Sequence, residues 1–455
     1  MSANVKTLVS RLSWITVSHV STSGLRLLNS VILARLLGPS LIGLFLIVNL
    51  TRTAVELFTD VGVGQNIVSN KNGHDPDFYD TAWTIQVVRG LVLGIICVIV
   101  AKPVALAFGK PELAIVIPFA ALFSVVSGFN SVGTFLLQKN IQVGRFAKFE
   151  ITRAILNILI YTALALITPT IWALVIGTVM SFGVLCISSY MLVPGIRHRF
   201  FIDRIYARQI LVFGKWIFWS SIISFLAMNF DRLYFAKELT LAELGVYSIA
   251  RNLTETITQL AVQSGNLLLF PMVAGMQAPP PEVRGRIRHG RRLILLGAAV
   301  GLGVLVAGSD LLIRILYDQR YHQAGIVLPL LLLSAWLAVL STVNEYMLLG
   351  VSRPAITTYA NAAKFIRYAI ATPLAYFYFG FLGAILAFGI GEAIKYVTLW
   401  GLSRSHNLSF ARDDLMLTLV FLASIVLARE ISFLIGITSN LQSLFPWVAT
   451  LRLGI

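Results

Sequence analysis

Arg52, Glu56 and Asp60 stand at four-residue steps in "NLTRTAVELFTD" (49–60), inside a long apolar stretch. Arg251 and Glu255 repeat the step in "RNLTETITQL" (251–260), again among apolar residues. An arginine at the centre of a spanning helix costs roughly 2.5–3.5 kcal/mol on insertion scales, so it faces protein or water rather than lipid. Arg26 is a third such arginine, with no acidic neighbour on its own helix. A guanidinium is a rigid fork that grips a carboxylate or a phosphate through paired hydrogen bonds. Residues three and four apart share a helix face. On that rule His19, Thr22, Ser23, Arg26, Asn29 and Ser30 form one polar stripe. Asn49 joins Arg52, Glu56 and Asp60 in a second, and Gln259 and Gln263 extend Arg251 and Glu255 in a third. Ser220, Ser224 and Asp231 share the face of a fourth helix. The pairs also have a plainer reading: Arg and Glu at i,i+4 neutralise each other and pin helices. Arg26, lacking such a partner, favours binding. Glu345, Glu392 and Lys395 also fall within apolar spans and are read as lobe-packing or ion-coupling groups.

The elements that carry these stripes follow from composition. Of 455 residues, 57% are hydrophobic and 12% charged, with a mean hydropathy of +0.82. Soluble chains carry roughly 25% charged residues, so this is a polytopic membrane protein. "MSANVKTLVSRLSW" has no short apolar core with a small-residue cleavage site, so a signal peptide is not expected. Apolar runs long enough to span, about 20 residues each, lie near 13–37, 41–66, 81–106, 111–137, 147–168 and 171–194. A second set lies near 210–237, 242–270, 290–316, 324–350, 360–381 and 383–404, followed by 413–430 and a polar, Pro446-containing run at 431–453. The expected fold is an all-α membrane protein of about 14 helices.

The formal charge of +16 points to membrane topology rather than nucleic acid. Basic residues concentrate in alternate loops, such as "GIRHRFFIDRIYARQ" and "RGRIRHGRR", whereas "ITPT" and "FYFGFLG" carry no charge. Basic loops stay cytoplasmic, which puts both termini inside. The segment 67–80, with Asp75, Asp77 and Asp80, is an acidic exception. Cys97 and Cys186 lie in apolar segments and suit neither a disulfide framework nor a metal site. No nucleotide, metalloprotease or nucleophile motif is present. The two "NLT" sequons lie within spans and are set aside as glycosylation sites.

The chain repeats. "SWITVSHVSTSGLRLLNSVILARLLGPSLIGLF" matches "KWIFWSSIISFLAMNFDRLYFAKELTLAELGVY" at constant offset, with Trp14 against Trp216, Ser18 against Ser220, Arg35 against Lys237 and Gly43 against Gly245. Pro118 aligns with Pro329 in a later stretch. Two homologous six-helix lobes are expected, 1–200 and 201–406, in parallel repeat about an axis along the membrane normal, with two further helices in 407–455. In such transporters the site lies between lobes near the midplane, so spans 1, 2, 7 and 8 would line a shared polar cavity.

Residues 32–71, "ILARLLGPSLIGLFLIVNLTRTAVELFTDVGVGQNIVSNK", resemble the oligosaccharide and polysaccharide (Wzx-type) flippases of the multidrug/oligosaccharidyl-lipid/polysaccharide exporter superfamily. Arg35, Gly38, Pro39, Gly43, Asp60 and Gly62 match that family's pattern. A glutamate common after the proline is absent here; Leu41 and Ile42 occupy the region, and Glu243 appears in the second repeat. The resemblance implies a non-enzymatic, multi-pass protein of the bacterial inner membrane. It would pass undecaprenyl-diphosphate-linked repeat units from the cytoplasmic to the periplasmic leaflet for exopolysaccharide, capsule or O-antigen assembly. The extra C-terminal helices would help form a groove for the polyprenyl tail. On this reading Arg26, Arg52, Arg251, Asn29, Asn49 and Gln259 contact cargo, and Glu56, Asp60, Asp231 and Glu255 balance charge or couple an ion. No cofactor is expected; a proton or sodium ion is the candidate coupling ion. The expected partners are the lipid-linked oligosaccharide and membrane lipids, with no nucleic acid, for a monomer that works beside polymerase machinery. Three rivals remain open: a lipid II flippase, a cation-coupled drug exporter of the same superfamily, and a membrane sugar polymerase or ligase.

Overall fold

The computed structural model describes residues 2–57, 62–70, 72–139, 143–192, 198–264, 273, 280–350, 354–404 and 409–436. Every regular element among them is helical. Asp60 and the run 437–455, and with them most of the last expected span, lie outside the described residues. Eight described helices are long and apolar enough to cross a membrane. Their outward side chains are apolar, as lipid requires: Ile99, Leu106, Met191 and Phe377 are among the most exposed.

The chain forms two compact units, 1–245 and 246–455. The first contains α1 (Ser2–Leu36), α2 (Pro39–Leu57), α3 (Val63–Ser69) and α4 (Pro76–Phe108). Then come α5 (Leu113–Ala120), α6 (Leu122–Gly128), α7 (Gly133–Lys139), α8 (Val143–Ile167), α9 (Ile171–Leu192) and α10 (Arg204–Glu238). Helix α11 (Leu241–Ser264) starts in this unit and continues into the second. Helix α1 packs on α8, α8 on α9, and α4 on α5 and α6. Helix α10 packs on α2 and α4, so compactness and the sequence repeat divide the chain at different places.

Two expected spans of the first unit are broken. The run 41–66 is described as helix to Leu57 and again as α3 after Gly62, whose φ of 63° lies in the left-handed region that favours glycine. The run 111–137 becomes α5, α6 and α7. Its break frees backbone carbonyls, which lipid cannot satisfy. Gln86 of α4 answers them: Nε2 donates to the carbonyls of Ser127 (3.5 Å), Gly128 (3.0 Å) and Asn130 (3.0 Å). Pro329, aligned with Pro118, lies instead within one long helix.

The acidic exception is explained by its neighbours. The connection after α9 folds onto the start of α4, where Arg199 bridges Asp77 (2.6 Å) and Asp80 (3.0 Å). Tyr206 donates to Asp75 at 2.7 Å. The acidic segment thus lies on the same side as a basic loop and offsets its charge.

The second unit holds the rest of α11, then α12 (Pro280–Ala307), α13 (Ser309–Leu316), α14 (Ala324–Gly350), α15 (Pro354–Arg404) and α16 (Ala411–Leu434). Helix α15 is two helices meeting at Gly380, where φ is 65° and ψ −160°. That is the junction expected inside the uncharged "FYFGFLG". Helix α16, the first of the two expected C-terminal helices, is pinned to α12 at both ends. Arg288 grips Asp413 through two 2.8 Å bonds, and Arg291 pairs with buried Asp414. At the far end the fully buried Arg429 donates to the carbonyl of Ala307 (2.6 Å) and to Asp310 (2.7 and 3.0 Å). Helix α16 also runs past the expected break at 430 to Leu434.

Candidate functional site

On α1, Arg26 is exposed and reaches back along its own helix, donating to the Thr22 carbonyl and the Ser23 hydroxyl, both at 3.4 Å. These are long bonds, easily exchanged for an anion. One turn on, Asn29 carries a buried Oδ1 with no hydrogen-bond partner. The side chain of His19 lies outside the described set.

Helix α2 presents Arg52 differently. Its Nη1 meets Glu56 at 3.1 Å, Nε donates to Asn49 Oδ1 at 3.3 Å, and Nη2 to Thr53 Oγ1 at 3.4 Å. The guanidinium lies over the Phe123 ring, 4.4 Å from its centroid, and 6.0 Å from that of Phe182. Asn49, Arg52 and Glu56 are thus brought together, as their spacing predicts. Both the salt bridge and the stacking leave Arg52 about a fifth exposed.

A cavity of about 780 Å³ opens beside this group, within the first unit. Helices α2 to α4 and α6 to α9 enclose it. Four charged residues line it: Glu56, Arg89, Glu150 and Arg153. Arg89 donates to the Glu56 carbonyl at 2.6 Å, and Arg153 pairs with Glu150 at 2.6 Å. Sequence reading missed Arg89, Glu150 and Arg153. The signal was present: Gln86 and Arg89, and Glu150 and Arg153, stand three apart inside expected spans.

In the second unit Arg251 meets Glu255 at 3.4 Å, each roughly a quarter to a third exposed. Gln259, on the same helix, is exposed. Asp231 of α10, in the first unit, is 3% exposed; the side chains of Ser220 and Ser224 lie outside the described set. Glu345 and Lys395 pair at 2.7 Å, and Glu392 pairs with Lys364. Asn361 donates to Glu345 at 3.0 Å, and Tyr368 to Glu392 at 3.3 Å. This network ties α14 to both halves of α15.

Arginines set in apolar helices, polar stripes on α1, α2 and α11, and a helical membrane fold converge with what the chain is similar to. The sequence profile of the family described as "Polysaccharide biosynthesis protein" matches residues 32–326. The chain belongs to this family. Its match covers the stretch 32–71 that carries the resemblance to the polysaccharide flippases of the exporter superfamily, and places the chain among them. The succinoglycan biosynthesis transport protein ExoT of Rhizobium meliloti (strain 1021) is 24% identical, covering 95% of this chain and 88% of that protein. The lipopolysaccharide biosynthesis protein WzxC of Escherichia coli (strain K12) is 22% identical over 87% of this chain and 80% of that protein. Among solved structures, the lipid II flippase MurJ in an inward closed conformation superposes with a TM-score of 0.74. It covers 93% of each chain at 13% identity, a likeness of fold. The chain is therefore a multi-pass membrane protein of polysaccharide biosynthesis with a flippase or transporter role.

Proposed function

We propose that this flippase passes an undecaprenyl-diphosphate-linked oligosaccharide repeat unit from the cytoplasmic to the periplasmic leaflet of the bacterial inner membrane by alternating access. Arg26, Arg52 and Arg251 bind the diphosphate, Asn29, Asn49 and Gln259 meet polar groups of the cargo, and Glu56 and Glu255 balance the arginines when no cargo is bound. Asp60 and the buried Asp231 are the further carboxylates for coupling to a proton or sodium ion. The protein acts as a carrier, with no bond made or broken in the sugar.

The observation that supports this most is the state of Arg52. It is held by one carboxylate on its own helix and by two long bonds to neutral oxygens. An i,i+4 pair contributes only about 0.2–0.5 kcal/mol in isolated helices, whereas a hydrogen bond to a charged group contributes about 1.5–3 kcal/mol. A diphosphate can therefore take the guanidinium from Glu56. Arg26, with an exposed head and two 3.4 Å bonds, is freer still.

Alanine at Arg26 or Arg52 should abolish surface polysaccharide while protein levels in the membrane stay normal. Arg251→Ala should act in the same direction and more mildly. Lysine at Arg26 or Arg52 should restore export only in part, because it keeps the charge and loses the fork. Normal polymer from all three alanine variants at normal levels would refute the clamp.

A further inference from the structure

We infer that the cavity inside the first unit is a binding site for the uncharged glycan of the cargo, a second subsite separate from the arginines that take the diphosphate. This rests on the reading above that the cargo is a sugar joined to a lipid diphosphate.

Charge excludes the simpler occupants. The lining carries two guanidinium groups and two carboxylates, so its formal charge is balanced. Arg153 is engaged by Glu150, and Arg89 by the Glu56 carbonyl. Arg153 is held at 2.6 Å against 3.1 Å for Arg52, and Arg89 is turned onto a backbone carbonyl at 2.6 Å, so neither offers a diphosphate the loosely held fork of Arg52; a cationic drug would meet both arginines. A polyprenyl chain would strip water from Gln86, Ser127, Asn130 and Thr134 without replacing it.

A polyhydroxylated ligand fits each feature. Sugar hydroxyls donate and accept at once, and the lining carries side chains of both kinds, the amides of Gln86 and Asn130 and the hydroxyls of Ser127 and Thr134. Behind the wall, Asn130 Oδ1 and Arg153 Nε are buried without a partner, so either side chain gains a bond by turning into the cavity. Phe135, Phe149 and Phe182 supply aromatic surface for the apolar faces of sugar rings. The volume of about 780 Å³ falls within the roughly 300–1,000 Å³ of small-molecule sites.

Position joins the two subsites. Glu56 lines the cavity and also pairs with Arg52; Phe182 lines it and also lies under the Arg52 guanidinium. Arg52 therefore stands at the cavity wall. A diphosphate held by Arg52 delivers its first sugar to the cavity, and the Arg52–Glu56 exchange couples arrival of the diphosphate to the lining of the glycan site.

The test measures binding to the purified full-length protein with three probes. These are undecaprenyl diphosphate without sugar, the same lipid carrying the repeat unit, and the free repeat-unit oligosaccharide released from the producing strain's polymer. The wild type should bind the sugar-bearing lipid about tenfold more tightly than the bare lipid. Asn130→Ala should cut that margin about fivefold and weaken the free oligosaccharide, with bare-lipid affinity and melting temperature held. The paired change Glu150→Gln with Arg153→Gln, which keeps the net charge while removing both ionic groups, should do the same and stands in if Asn130→Ala folds poorly. Equal wild-type affinity for both lipids would overturn the glycan site, as would a margin untouched in a variant that melts normally. Arg52→Ala should weaken both lipids. Unchanged bare-lipid binding in Arg52→Ala would instead sink the diphosphate clamp and leave the glycan result to stand on the free oligosaccharide.

Discussion

Glu56 does two jobs that a sequence could only half disclose. Its spacing from Arg52 announces an ion pair, and the pair forms at 3.1 Å. Its backbone carbonyl also receives Arg89 from another helix at 2.6 Å, a contact that no local pattern encodes. The pairing keeps an arginine tolerable in an apolar helix without holding it tightly. Glu56→Gln removes the competing charge. Bare undecaprenyl diphosphate should then bind a few-fold more tightly, while export falls because release slows; a balance needs both states to be of similar energy. Unchanged affinity in Glu56→Gln would mean that Glu56 does not compete with cargo. The polar faces of α1 and α2 that carry Arg26, Asn29, Asn49 and Arg52 were legible because a 3.6-residue period shows in the chain itself. Arg89, Glu150 and Arg153 belong to no repeated stripe, and only the packing of α4 and α8 around the cavity brings them together.

Elements carry the next level of control. The α9–α10 connection is fixed by an aromatic and polar cluster at the start of α4. His198 stacks on Trp83 with centroids 5.2 Å apart and planes 10° apart, and its Nε2 lies 2.9 Å from Ser131 Oγ. Asp80 is 3.8 Å from Nδ1 but is already taken by Arg199. Burial pushes the His198 imidazole below its ordinary value, against a weaker upward pull from Asp80. The sign follows from linkage. Near neutral pH both folded and unfolded connections are uncharged here, and the contact is at full strength. As pH falls below about 6.5 the unfolded form takes the proton first, so stability drops until the folded pKa is passed. The protection factor of amide exchange in residues 198–203, the observed rate set against the intrinsic rate at each pH, should therefore fall between about pH 7.5 and about pH 5, and His198→Gln should flatten that fall. Equal protection factors at both pH values in the wild type would show that the neutral ring does not hold the connection. The broken span 111–137 was not legible as three helices. Pro118 hints at a kink, but Pro329 occupies the aligned place in an unbroken helix. The difference lies in tertiary partners, since Gln86 satisfies the carbonyls the first break releases. The junction at Gly380 was legible, because an uncharged Gly-containing run between apolar stretches can only be a tight turn.

At the scale of the molecule, positions that the sequence aligns come together within the first unit. Gly43 and Gly245 are aligned by the repeat, as are Pro39 and Leu241. A side chain on Gly43 would strike the Leu241 carbonyl at 2.0 Å, and one on Gly245 would strike the Pro39 carbonyl at the same distance. The first turns of α2 and α11 therefore approach each other in a reciprocal, two-fold manner, and glycine is required at both positions for backbones this close. The all-helical class, the membrane setting and the family were readable from composition, hydropathy and residues 32–71. The compact division at 245, with α10 in the first unit, was not, because packing between helices follows side-chain fit rather than chain order. The central claim is that the protein moves a lipid-linked glycan by its diphosphate. Purified protein in sealed vesicles, loaded with undecaprenyl-diphosphate-linked repeat unit, tests it through the rate at which the sugar becomes accessible to an impermeant glycosidase outside. The account predicts a rate that depends on the protein and is lost in Arg52→Ala with normal insertion. A rate equal to that of protein-free vesicles, or one that Arg52→Ala leaves unchanged, would contradict it.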